Sequence, residues 1–292
     1  MRLIAFRDES GRTGLGARDG DTLIDLTAAG LPQTLDALLL QGETGMAQAR
    51  VAIGQAKNRR SLHGITWLPP ISNPAKAFAI GLNYIDHAKE SKFDLPKHPV
   101  IFQRYPSSWV GHGQALVKPH VSVQFDYEAE LVAVIGKAGR YISKDNALAH
   151  VAGYSVFNDG SIRDYQFRSN QWLWGKNFDA SGSFGPEFVT ADELPPGAAG
   201  LQVLCRLNGE VMQSANTRDM IFDVATLVAA CSDGMALQPG DIIITGTPSG
   251  VGLARTPPVW MKAGDMCEIE IEHVGLLCNP IVNESLAPGP AK

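Results

Sequence analysis

From residue 77 onward the chain is cut by glycine, proline, asparagine and aspartate into short β-type runs, and this punctuation decides its fold class. FAIGLNY, PVIFQ, ALVKP, EAELVAVIG, VAGYSVFND, LQVLCRLNG, DIIITG, MCEIEIEHVG and LLCNPIV all fit strands bounded by turn formers. With 30 glycines and 18 prolines among 292 residues, a helical bundle is excluded. One helical pattern, residues 219–230 (DMIFDVATLVAA), interrupts the runs, and short helices are expected at 84–91 and 143–150. Because few strands alternate with full-length helices, a doubly wound parallel sheet is disfavoured. The expected class is α+β, built on a rolled mixed β-sheet.

The first 66 residues read separately. RLIAF and TLIDL are strand candidates with Asp19-Gly20 as a turn signal between them, and residues 34–60 carry a loosely amphipathic pattern for one or two short helices. Prolines 69, 70 and 74 follow, which neither a helix interior nor a central strand accepts. The expected organisation is a small N-terminal α+β domain over 1–66, a linker over 67–76 and a larger domain over 77–292. Lys and Arg total 25 against 30 Asp and Glu, a net charge of −5 without a basic stretch, which argues against a nucleic-acid partner. No signal peptide or run of about 18 apolar residues is seen. Cys205, Cys231, Cys267 and Cys278 lie far apart without a CxxC pair. The expectation is a cytoplasmic protein with reduced thiols and no membrane contact.

Chemistry concentrates in Asp126-Tyr127-Glu128-Ala129-Glu130-Leu131-Val132-Ala133-Val134-Ile135-Gly136. In a strand, Glu128 and Glu130 share a face with Val132 and Val134, while Tyr127, Ala129, Leu131, Ala133 and Ile135 take the other. Both faces end apolar, so two carboxylates enter a buried strand, where they repel and lose hydration. Something positive must offset them, either a divalent metal or a cluster of Arg and Lys. VAGYSVFNDGSIRDYQ places Asp159 at the end of another strand. If the two strands are neighbours, Asp159 completes a three-carboxylate site, whose oxygen ligands suit Mg²⁺ or Mn²⁺ rather than zinc. No HExxH or Cys/His zinc pattern competes.

Other segments supply acids, bases and donors. In GLNYIDHAKE, His87 and Glu90 are three apart, so on a helical turn the carboxylate orients the imidazole, as a general base requires. A surface pairing is the alternative. Arg163 and Gln166 follow Asp159, and Lys176 follows a turn in WLWGKNFD. Such groups could hold a substrate carboxylate or oxyanion, or simply form salt bridges with Asp164 or Asp179. IIITGTPSGVG runs from a buried strand into a turn rich in glycine, with Gly246, Thr247 and Gly250, whose N–H groups and hydroxyl suit anions. There is no GxxxxGK[ST], GxGxxG or GxSxG pattern.

Taken in order, GLNYIDHAKE, DYEAELVAVIG, FNDGSIRDYQ, WGKNFD, MIFDVATLVAACSDGMALQPGDIIITGTPSGVG and HVGLLCNPIV resemble the fumarylacetoacetate hydrolase family over residues 68–283. The resemblance implies a catalytic domain of the rolled mixed-sheet type, a homodimer, and Mg²⁺ or Mn²⁺ on Glu128, Glu130 and Asp159. It places the family's His-Glu dyad on His87 and Glu90, in a segment that often orders as a lid. Substrate and oxyanion contacts fall on Arg163, Gln166, Lys176 and Thr247, with Tyr84 and Gly246 nearby. Where the family more often has lysine, this chain has Arg104, expected to meet a substrate carboxylate differently. Gly160 stands where valine is common.

The implied activity is hydrolysis of a C–C bond in an acylpyruvate such as fumarylpyruvate, maleylpyruvate or fumarylacetoacetate, in aromatic-compound catabolism, through a metal-stabilised enolate. Decarboxylation of oxaloacetate, or isomerisation of a 2-hydroxy-diene-dioate, shares that enolate. A catalytically silent keto-acid-binding protein is the alternative from another class.

Overall fold

The computed structural model describes residues 1–56, 59–90 and 95–285. The architecture is mixed α+β, as the punctuation implies. A mixed sheet of 12 strands runs, edge to edge, through Arg59–Ser61, Thr22–Asp25, Thr13–Asp19, Arg2–Arg7, Gly182–Thr190, Val151–Asn158, Ala129–Ile135, Ile242–Ile244, Ala77–Gly81 and Val100–Gln103. Thr66–Leu68 joins it on Arg2–Arg7, and Trp109–Val110 on Gly182–Thr190. A second sheet of five strands stacks Glu210–Asn216, Gln202–Leu207, Met266–Ile271, Gly275–Asn283 and Leu116–Lys118. The helix Val224–Gly234 covers the core, starting after Asp223, whose carboxylate accepts the Thr226 N–H at 2.8 Å. Its start lies later than the pattern from residue 219 suggested, because residues Thr217–Asp219 form a separate 3₁₀ turn. Position 91 of the helix expected at 84–91, and 286–292 of the larger domain, lie outside the described residues.

Alternation along Ala129–Ile135 explains the layering. Leu131, Ala133 and Ile135 pack with Val203, Cys205, Ile269 and Leu277 of the second sheet. Val132 and Val134 face the other way, against Leu3, Leu15, Leu38 and Phe184. Every residue of this strand is buried, so its carboxylate-bearing entrance opens into the interior as the pattern predicted.

Several strands lie outside the runs expected from sequence, among them Glu210–Asn216, and two of them are instructive. Thr13–Asp19 lies between RLIAF and TLIDL, so the Asp19-Gly20 turn joins it to Thr22–Asp25 instead. Its Gly16 packs closely, since a Cβ there would fall 2.2 Å from Leu23 Cδ1 and 3.1 Å from the Ile24 carbonyl, displacing a buried leucine. Gly182–Thr190 contains Pro186 yet is fully buried. The proline is tolerated because pairing with Val151–Asn158 slips between Tyr154↔Val189 and Val156↔Gly185, leaving Pro186 outside the matched positions. The same strand pairs Leu3 with Phe188, so the main sheet continues from the first 66 residues into the rest of the chain.

Leu131 is fully buried opposite Val156. Leu131→Ala is expected to lower unfolding free energy by about 2–5 kcal/mol in a denaturant titration. A loss below about 1 kcal/mol would contradict its place in the central layer.

Candidate metal centre and active site

The site grows from one strand ladder. Ala129 is matched with Asn158, so Glu128, just before one strand, meets Asp159, just after the other. The Asp159 N–H donates to the Glu128 carbonyl at 2.9 Å, and the Glu128 N–H to the Asn158 side-chain oxygen at 3.1 Å. Carboxylate oxygens of Glu128, Glu130 and Asp159 all lie within 4.8 Å of one another, and all three residues are buried. The neighbouring strands that the sequence left conditional are therefore present.

Three cations, each from a different segment, enter the cluster. Lys176 Nζ lies 2.5 Å from Glu128 and 2.6 Å from Asp159. Arg163 contacts Glu128 at 2.7 Å and Asp126 at 2.8 Å. Arg104 Nη1 donates to Asp159 at 2.6 Å. Arg163 and Lys176 thus pair with distant carboxylates rather than with Asp164 or Asp179. Glu130 differs: its carboxylate accepts the Gly246 N–H at 2.5 Å, and among the described residues it has no ion pair. Burial, and then Asp159 and Glu128, push its carboxyl well above the ordinary range. For Glu128, burial works in the same direction, but Lys176 and Arg163 overcome it and hold the carboxyl low.

The balance of charges in this cluster suits a cation. Asp126, Glu128, Glu130 and Asp159 supply four carboxylates against Arg104, Arg163 and Lys176, so the Arg/Lys cluster is real but leaves one carboxylate without a cation partner. Three convergent oxygen donors, one of them so placed, suit a hard divalent ion.

His87 is buried, with Nδ1 3.0 Å from Glu90. Glu90 also accepts the Gly250 N–H at 3.0 Å and 3.1 Å on its two oxygens. It thereby orients the imidazole and ties the helix Ile85–Glu90 to the glycine-rich turn. Gly246 and Gly250 both have positive φ, 99° and 98°. A Cβ on Gly250 would fall 2.3 Å from the Met212 carbonyl, so this turn needs glycine to approach so closely.

These groups line one cavity of about 180 Å³, with His87, Arg163, Gln166, Lys176, Thr247 and the carboxylate triad on its polar side and Ile80, Leu82, Phe102, Phe167, Trp172, Val251 and Leu253 on its apolar side. Glu90, Tyr84, Arg104 and Gly246 stand outside that lining, Glu90 reaching it only through His87. Tyr84 is buried in a bridge to Met220, its phenol pushed up by burial and by Glu130. Arg104 sits behind Asp159, also donating to the carbonyls of Gly160 and Ser108 and to Ser108 Oγ. Gly160 belongs to the same arrangement, because a Cβ there would lie 1.9 Å from the Ser181 carbonyl oxygen.

Two supporting residues went unassigned in the sequence. Asp126 accepts from Arg163, Gly252 and Leu253 at 2.7–2.9 Å. Its place beside the glutamates was visible, its partners were not. Gln213 donates to Thr247 Oγ1 at 2.8 Å and accepts the Ala129 N–H at 3.0 Å. No local pattern marks it.

Residues 76–282 match the family profile described as fumarylacetoacetate hydrolase, C-terminal. The chain is 42% identical over 289 residues to the mitochondrial oxaloacetate tautomerase fahd2 of Xenopus laevis, covering 97% of this chain and 90% of that one. Among solved structures, the fumarylacetoacetate hydrolase of Exiguobacterium antarcticum aligns with a TM-score of 0.86 and 35% identity, covering 97% of this chain and 100% of that one. The maleylpyruvate hydrolase of Sphingobium sp. SYK-6, in complex with manganese(II) and pyruvate, aligns with a TM-score of 0.82 and 29% identity, covering 98% and 100%.

A carboxyl whose folded pKa is raised opposes folding once the pH exceeds its unfolded value. Glu130→Gln is therefore expected to keep or raise the melting temperature in metal-free buffer at neutral pH, while weakening Mn²⁺ binding about tenfold or more in calorimetry. Glu128→Gln should weaken Mn²⁺ binding and also cost about 3–5 kcal/mol, because it breaks buried ion pairs. Wild-type Mn²⁺ affinity in both variants would refute the ligand set.

Proposed function

The chain belongs to the fumarylacetoacetate hydrolase family, and from that premise we propose that it is a metal-dependent enzyme interconverting the keto and enol forms of a short 2-oxo dicarboxylic acid, oxaloacetate. The observation that carries this reading is the cavity. Its volume of about 180 Å³ is below the roughly 300–1,000 Å³ of pockets for drug-sized ligands, which suits a four-carbon acid. The activity named for the Xenopus relative supports the same substrate.

Glu128, Glu130 and Asp159 would hold Mg²⁺ or Mn²⁺, which when bound supplies Lewis-acid polarisation of the 2-oxo group and offsets charge developing on its oxygen. The protein's own groups then manage two protons, one removed from C3 and one delivered to the oxygen on C2. With Glu90 accepting from Nδ1, His87 keeps Nε2 for the C3 proton. Gln166 turns its carbonyl to Arg163 at 2.8 Å, which leaves its amide N–H groups for a substrate oxygen. Thr247 accepts from Gln213 and so retains its hydroxyl proton to donate. Lys176 and Arg163 place positive charge beside the substrate's carboxylates. Tyr84, Arg104 and Gly246 act by holding these groups in place.

The second reading is hydrolysis of an acylpyruvate, as the sequence led us to expect. The complete His87–Glu90 pair, which would activate water, and the likeness to maleylpyruvate hydrolase favour it. We further propose a homodimer, as the family resemblance implies, in a reducing compartment, which its four free cysteines suit. No helix among the described residues is long and apolar enough to cross a membrane.

Purified, Mn²⁺-loaded protein is expected to accelerate decay of the enol absorbance of oxaloacetate. EDTA should abolish the effect and added Mg²⁺ or Mn²⁺ restore it. His87→Ala should lower kcat by roughly 10²–10⁴ with Mn²⁺ affinity unchanged. Turnover insensitive to EDTA, or cleavage of fumarylpyruvate outpacing tautomerisation, would overturn this reading.

A further inference from the structure

We propose that Trp172 sets the length of 2-oxo acid that the site accepts, an inference that rests on the short-acid reading above. Trp172 stands at the start of the short helix Leu173–Lys176, four residues before Lys176, so the wall and the cation of the polar end project from one face. Its ring lies over Gly81, where a Cβ would fall 2.1 Å from Cζ3 and 2.7 Å from Cη2. Gly81 therefore provides the seat that this indole needs. Phe102 braces it edge-on, with ring centroids 5.7 Å apart.

What lies behind the indole gives the proposal its content. Trp172 and Phe102 line both the site cavity of about 180 Å³ and a separate surface depression of about 590 Å³. The depression is otherwise formed by apolar side chains, among them Val100, Ile101, Leu173 and Met235, together with Gln103, Asn170 and Gln171. The indole is thus a partition between a small charged chamber and a larger, mostly apolar surface depression. With it in place, an acid held by its carboxylate end meets the ring after a few carbons. Without it, the two spaces join and an alkyl tail gains an apolar surface to cover.

The test measures binding of unreactive straight-chain 2-oxo acids, pyruvate, 2-oxohexanoate and 2-oxooctanoate, to Mn²⁺-loaded protein by calorimetry. Wild type is expected to bind pyruvate and lose about tenfold or more in affinity by 2-oxooctanoate. Trp172→Ala should bind 2-oxooctanoate about tenfold or more tighter than wild type does, with pyruvate affinity within about threefold. Trp172→Leu, which keeps an apolar side chain on Gly81, gives the same direction of change should the alanine variant fail to fold. An identical length profile in wild type and a folded variant would overturn the proposal. Oxaloacetate tautomerisation by wild type is recorded alongside. Its absence with a shifted length profile removes the tautomerase reading and keeps the partition, whereas normal turnover with an unshifted profile removes the partition alone.

Discussion

Four buried carboxylates face three buried cations at one end of the central ladder, and the placement of the surrounding loops follows from that balance. Ions taken out of water are costly unless each finds a partner of opposite charge at short range. Lys176 and Arg163 meet Glu128, Arg104 meets Asp159, and Arg163 is held in turn by Asp126. Each cation arrives on a different segment, so satisfying the carboxylates also fixes the turn after Val100–Gln103 and the two short helices that begin at Arg163 and Leu173. Glu130 is the exception that gives the cluster a purpose. Its carboxylate rests on the Gly246 N–H, with burial and two neighbouring carboxylates acting against its charge. A divalent cation would resolve that conflict, and the cluster would then carry one net positive charge, suited to an acidic substrate.

The same arrangement links local geometry to the choice of reaction. Hydrolysis, decarboxylation and tautomerisation of 2-oxo acids can share an enolate, so the ligands and the His87–Glu90 pair do not by themselves separate them. We propose that space separates them: a cavity of about 180 Å³ bounded on its apolar side by Trp172 and Phe102 favours a short acid over the longer acyl chains of acylpyruvates. Glu90 adds a mechanical connection, since it binds His87 and Gly250 together. One carboxylate therefore holds both the turn and the imidazole proposed as the base.

Much of this was legible in the sequence where the physics is local. Period-two alternation alone placed Glu128 and Glu130 on the face of Val132 and Val134 and buried the strand on both sides, as found. The choice between a metal and a cation cluster could not be made locally, because Arg163 and Lys176 had nearer acidic neighbours in Asp164 and Asp179. In the folded chain Asp164 instead accepts from Ser122 at 2.6 Å. Arg104 is expected from sequence at a substrate carboxylate and lies behind Asp159, for the same reason: its acidic partner is 55 residues away. Gly182–Thr190 was hidden because glycine and proline signal a turn, and only its neighbour's slipped register accommodates them. The Gly81–Trp172 contact, which we propose limits substrate length, was invisible because it joins residues 91 positions apart.

Glu128, Glu130 and Asp159 converge, and we propose that they hold a hard divalent ion beside a short 2-oxo acid. Anomalous diffraction from crystals grown with Mn²⁺ and oxalate, a mimic of a 2-oxo acid's chelating end, tests it most directly. One manganese peak is expected between those three carboxylates, at about 2.0–2.2 Å from an oxygen of each, with oxalate on its open side. Manganese bound elsewhere, or a triad still closed by Lys176 with no peak between its members, would contradict it.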